Sequence, residues 1–179
     1  KLDELEQISS AYLYKDILKL QDIRKPDILE DLVRILASRV GTELSSFSLA
    51  QALETSPKTI DSYLDILQKA FIIYKLRPYS RNLESEIKNK PKYYFYDTGI
   101  LNTILGKASL DPLDRYTGPV WENIVVLEKI KQAQLNRTRS QFYFWRHRSG
   151  SEVDLVERTY IGEIKSWEIK YKESKRVRL

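Results

Sequence analysis

The sequence predicts an α+β chain, with helices concentrated in its first part and strands in its last. Two observations carry this. Proline-led starts at Pro26 and Pro57 are each followed by apolar residues at helical spacing. Near the other end, the aromatic run Phe142-Tyr143-Phe144-Trp145, the turn Ser149-Gly150-Ser151 and the alternating stretch around Val153 and Leu155 read as consecutive strands, which Ile164 to Ile169 completes. Three segments are expected: a helical linker over 1–41, a winged-helix unit over 42–100, and a mixed α/β unit over 101–179.

Composition narrows the class. At 42% hydrophobic and 31% charged, the 179 residues suit a protein with a buried core. Without cysteine there are no disulfides or thiolate zinc sites, which suits a cytoplasmic location. With the lone His147 there are no His-rich metal sites, and it reads as a surface residue beside a turn. No apolar run nears 18 residues, so no membrane span or membrane partner is expected. The absence of methionine and a start inside a helical pattern suggest a fragment with some methionine positions unwritten. Net charge is +5, with acids in excess over 1–56 and bases in excess over 158–179.

Residues 1–40 read as two helices. Leu5, Ile8, Tyr12, Ile17 and Leu20 form the stripe of the first. In the second, Ile28, Leu32, Ile35, Leu36 and Val40 face inward, and Gly41 ends it. A short helix over 48–53 and a turn at Glu54-Thr55-Ser56 lead to a helix that Ser56 caps and that runs to about Ala70. A strand from Phe71 to Leu76, a polar wing from Ser80 to Lys92 and a returning strand over Tyr93–Tyr96 complete the winged-helix pattern. Its second helix interleaves Lys58 and Lys69 with Asp61 and Asp65, a poor surface for a DNA groove. The wing offers Arg81, Lys88, Lys90 and Lys92, diluted by Glu84 and Glu86. The unit is open to two readings, a packing or partner-binding module and a DNA reader. Leu110 to Asp114 is a loop, and a helix from Gly118 to Leu135 carries Glu122 in its first turn, where an acid is electrostatically favoured.

The last hairpin fixes a face. With Tyr160-Ile161-Gly162 as a three-residue loop and Gly162 left-handed, Thr159 faces Glu163, Asp154 faces Glu168, and Lys170 faces Glu152. Asp154, Glu168 and Lys170 then share one face, while Val153, Leu155, Trp167 and Ile169 share the other. Glu163 and Lys165 have the opposite parity. Two acids and a lysine on one face suit Mg²⁺-dependent phosphodiester cleavage, since carboxylates hold a hard cation and the lysine balances phosphoryl charge. They equally suit a solvent face with cross-strand ion pairs, Glu152 with Lys170 among them. The basic end, with Lys172, Lys175 and Arg176, reads as a phosphate-backbone footprint or as a solubilising tail.

The strings GPVWEN, FYFWR, GSEVDLV and WEIK, with S-x-x-T-I-x-x-Y-L-x-x-L-x-x-x-F-I-I and YFYDTG upstream, resemble the C-terminal region of a family of prokaryotic AAA-type P-loop ATPases. That region is known as domain of unknown function 4143, and the likeness extends over nearly the whole chain. Its end is similar to a PD-(D/E)xK nuclease core. The resemblance implies a helix acid at Glu122, a strand acid at Asp154, E-x-K at Glu168 and Lys170, and Mg²⁺ held by Asp154 and Glu168. It implies DNA or RNA as a partner and a second partner in the protein's own ATPase module; the basic wing and tail add Arg81, Lys172, Lys175 and Arg176 as weak nucleic-acid contacts read from charge alone. No G-x-x-x-x-G-K-[ST] occurs, so ATP would be bound only in that absent module. A non-catalytic regulatory or interaction module of the ATPase is the alternative.

Overall fold

The computed structural model describes residues 23, 25–80, 82–107, 117–147 and 149–171. The first expected helix, the 110–114 loop, Arg81, Lys172, Lys175 and Arg176 lie outside the described residues.

Helix α1 spans Pro26–Ser38, α2 Ser46–Ala52 and α3 Pro57–Lys69. Strand β1 (Ile73–Pro78), α4 (Leu83–Lys88), β2 (Lys92–Phe95) and α5 (Thr98–Ile104) follow. Helix α6 (Gly118–Leu135) leads into β3 (Gln141–Arg146), β4 (Glu152–Arg158) and β5 (Ile164–Trp167).

Local chemistry sets these boundaries. Ser45 and Ser48 cap α2 reciprocally, and the Ser56 hydroxyl accepts from Thr59 N–H at 3.1 Å ahead of Pro57. Asp97 caps α5 by accepting from Ile100 N–H at 2.8 Å. The phase of α1 differs slightly from the expected stripe. Leu29 and Val33 join Leu32, Leu36 and Val40 in the core, whereas Ile28 and Ile35 are half-buried at its flank. The expected polar wing folds in part as α4, and Lys92 opens β2 as a buried residue rather than an exposed wing cation.

One sheet holds the chain together, in the order β2-β1-β3-β4-β5. Strand β1 pairs antiparallel with β2 and parallel with β3, so the sheet crosses the boundary expected at 100/101. Helices α1, α2, α3, α5 and α6 share a core cluster with Tyr93, Tyr94, Phe95, Phe144 and Leu155. Each fully buried leucine such as Leu32 or Leu36 contributes about 1.5–3 kcal/mol. The exposed Arg34–Glu30 and Lys69–Asp65 ion pairs, each an i,i+4 pair, contribute about 0.3–0.5 kcal/mol. Apolar burial therefore docks α1 and α3. On the outer side of α3, Asp61 is bonded by Ser46 Oγ and Lys69 is held by Asp65, so the basic residues form no stripe.

Candidate functional site

Strands β3, β4 and β5 follow α6 as an antiparallel meander, and the last hairpin has the expected register. Leu155 pairs with Trp167 and Arg158 with Ile164, Thr159 N–H donates to Glu163 O at 2.9 Å, and Gly162 has φ +88°. Continuing the register by one residue sets Asp154 opposite Glu168.

The face assignment changes within β4. Tyr143 pairs with Val156 and Trp145 with Val153, so one residue of β3 opposes two of β4. The extra residue makes Asp154-Leu155 a β-bulge and resets the period-two alternation. Leu155 lies in the core with Phe144, while Glu152, three residues earlier, reaches a lysine seated over the Phe144 ring. Val153 is therefore not on the Leu155 face, as strict alternation required. Past the end of β5, Ile169 N–H donates to Asp154 Oδ2 at 2.6 Å, so the bulged aspartate ties down the segment carrying Glu168 and Lys170.

Glu122 sits one residue beyond the first turn of α6, so the local helix-end explanation for an acid there does not apply. The neighbouring Asn123 is fully buried, accepting from Phe95 N–H at 2.6 Å and donating to Phe95 O at 3.0 Å. This clamp fixes α6 on β2 and turns Glu122 toward Tyr94, whose hydroxyl donates to Glu122 Oε1 at 2.7 Å. Lys92, two residues before Tyr94 on the same strand face, has its ammonium 3.5 Å from Glu122 and 2.5 Å from Glu152. Arg146 joins Glu152 at 3.8 Å to Glu43 at 2.8 Å. Gly41 closes over the cluster with φ +74°. A Cβ there would sit 3.0 Å from Glu122 Oε1, so both backbone and space call for glycine.

Burial pushes the Glu122 carboxyl above its ordinary value. Lys92 and Tyr94 oppose that, and Asp154 adds to it. Burial also holds the Tyr94 phenol well above its usual range, assisted by Glu122, Asp154 and Glu152. Asp154 is thus electrostatically coupled to the Glu122 cluster. Because the folded chain holds the Glu122 proton more tightly than the unfolded chain, the contribution of this group to stability falls as pH rises from about 4.5 through the raised folded value. A Glu122→Gln variant is expected to lose that decline in unfolding experiments across this window. Identical slopes in parent and variant would refute it.

Glu168 and Lys170 stand apart. They pair with each other at 2.8 Å, with side chains 62% and 61% exposed. The cross-strand Glu152–Lys170 pair is replaced by Lys92 and Arg146 on Glu152, because the bulge turns Glu152 inward and β5 ends at Trp167. Among the described residues, no group of three or more His, Asp or Glu is arranged to hold a metal ion. Lys92 is the residue of this cluster that sequence reasoning misplaced, as part of an exposed wing. Its available signal was its i,i+2 spacing from Tyr94 in a strand of aromatics.

Residues 1–111 match the family model described as domain of unknown function (DUF8612). The chain belongs to the DUF8612 family. Residues 117–179 of this DUF8612 chain match a second model, domain of unknown function (DUF4143). The DUF4143 match therefore covers α6 through β5 and the residues after it, a shorter span than the near-whole-chain likeness expected. An uncharacterised protein of Haemophilus influenzae is 28% identical over 133 residues, covering 72% of this chain and 32% of the relative. One from Mycobacterium tuberculosis is 33% identical over 123 residues, covering 68% and 27%, and one from Methanocaldococcus jannaschii is 27% identical over 131, covering 69% and 28%. The chain thus spans about a third or less of these relatives. No solved structure matches it. Among the described residues, no helix is long and apolar enough to cross a membrane.

Proposed function

We propose that this chain is the C-terminal part of a prokaryotic P-loop ATPase and acts on nucleic acid through a restriction-endonuclease-like site centred on Asp154. The observation that carries this reading is the order of α6, β3, β4 and β5. It presents an acid on the helix, an acid on the second strand and E-x-K directly after the third, with Asp154 at the register position opposite Glu168. The greater length of the relatives leaves room for an ATPase module in the whole protein. Helices α2 and α3 with the β1–β2 hairpin make up a winged helix, used for packing rather than for entering a groove. Its neutralised outer charges support that role.

The donors fit Mg²⁺ in kind, since this ion is commonly held by one or two carboxylates. Asp154 and Glu168 would hold it, and it would supply polarisation of the phosphate ester. Lys170 would move from Glu168 to the phosphoryl oxygens, and Glu122 would steer Asp154 through their mutual repulsion. A specific observation favours a second reading. Lys92 already neutralises Glu122 and Glu152 internally, as in a non-catalytic interaction module of the ATPase.

Gel-shift titrations of the whole protein at increasing salt separate the two. The nucleic-acid reading expects affinity to fall roughly tenfold or more between about 50 and 200 mM salt. Absence of binding at low salt would favour the interaction module.

A further inference from the structure

The chain leaves α6 through two arginines in glycine-favoured conformations. Asn136 caps the helix, Arg137 N–H donates to Gln134 O and Thr138 N–H to Ala133 O, both at 3.1 Å. This closure places Arg137 at the left-handed position where glycine is usual, with φ 53°. Arg139 is left-handed as well, with φ 52°. A helix C-terminus favours a cation at Arg137, but that field fades within the last turn and leaves Arg139 without a local reason. Strained residues of this kind concentrate at ligand sites. Neither guanidinium forms an ion pair among the described residues, and both line one pocket of about 460 Å³. Tyr74, Phe142, Gln134 and Ser140 also line it, with Ile130 and Ala133.

We propose that Arg137 and Arg139 form a phosphoryl-binding site in this pocket, and that its ligand is a nucleotide, free or as the terminal unit of a strand. Guanidinium forks match phosphate oxygens in geometry and charge, and two on one rim can share a single phosphoryl group. The Tyr74 and Phe142 rings supply aromatic surface for a base. Ser140 Oγ donates to Glu157 at 2.6 Å and accepts from Thr138 Oγ1 at 3.0 Å, so the serine is already partnered and the arginines are the pocket's main anion donors. The site uses none of Glu122, Asp154, Glu168 or Lys170, so it stands or falls separately from the nuclease-like reading.

The test measures binding of fluorescent adenosine monophosphate and of a labelled 5′-phosphorylated oligonucleotide to the whole protein, its double variant Arg137→Gly/Arg139→Gly, and Arg137→Lys/Arg139→Lys. The glycine pair is expected to weaken binding at least about tenfold. Its Tm should be unchanged or higher, because glycine relieves the backbone. The lysine pair should restore part of the affinity as point charges without the fork. Equal affinity for both probes assigns a free nucleotide, and binding of the oligonucleotide alone assigns a strand end. Binding of neither probe by the parent, or equal binding by the parent and the glycine pair, would overturn the proposal.

Discussion

Lys92→Met is expected to lower the stability of the chain by about 3–5 kcal/mol, the cost of removing one partner from a buried ion cluster. The Lys92 side chain is 4% exposed, with carboxylates at 2.5 and 3.5 Å and its ammonium 5.1 Å from the Phe144 ring centre. Methionine keeps most of the apolar stem against Phe144 but leaves Glu122 and Glu152 without their central cation. Burial already raises the Glu122 carboxyl although its side chain keeps 20% exposure, so losing the cation beside it is costly. Since natural domains are stable by only about 5–15 kcal/mol, this loss is a large fraction of the whole. Urea unfolding measures it. The same experiment on Arg34→Ala, an exposed i,i+4 pair, should show about 0.3–0.5 kcal/mol. A loss under about 1 kcal/mol for Lys92→Met would mean that the cluster is solvated. The triple variant Lys92→Met/Glu122→Gln/Glu152→Gln should recover much of the loss, because removing every partner leaves no uncompensated charge.

The last hairpin was legible because its turn chemistry is local. Gly162 sets the loop, the loop sets the register, and the register pairs Leu155 with Trp167 and Arg158 with Ile164. The bulge was not legible, because Asp154-Leu155 contains no glycine to mark it and strict alternation is the default for a strand. Capping residues and prolines placed α2, α3 and α6 to within a few residues, whereas the phase of α1 depended on what covers it. The buried place of Lys92 was hidden for another reason. A lysine is almost always exposed unless paired, and its partners Glu122 and Glu152 arrive from 30 and 60 positions away. The β1–β3 pairing likewise joins distant segments and leaves no local mark, so the continuity of the sheet came only from the structure.

The second large effect is on chemistry. Asp154 is both the bulge residue that holds Ile169 N–H and an acid that helps raise the Glu122 carboxyl, while Lys170 is exposed and paired with Glu168. Incubating the whole protein with Mg²⁺ or Mn²⁺ and labelled DNA or RNA tests the nuclease-like reading most directly. The expected result is metal-dependent cleavage that falls about 10²–10³-fold in Asp154→Ala and in Lys170→Ala, the range for losing one electrostatic contact made in the transition state. Absence of cleavage by the parent with either ion, or cleavage by both variants at the parent rate, would contradict it.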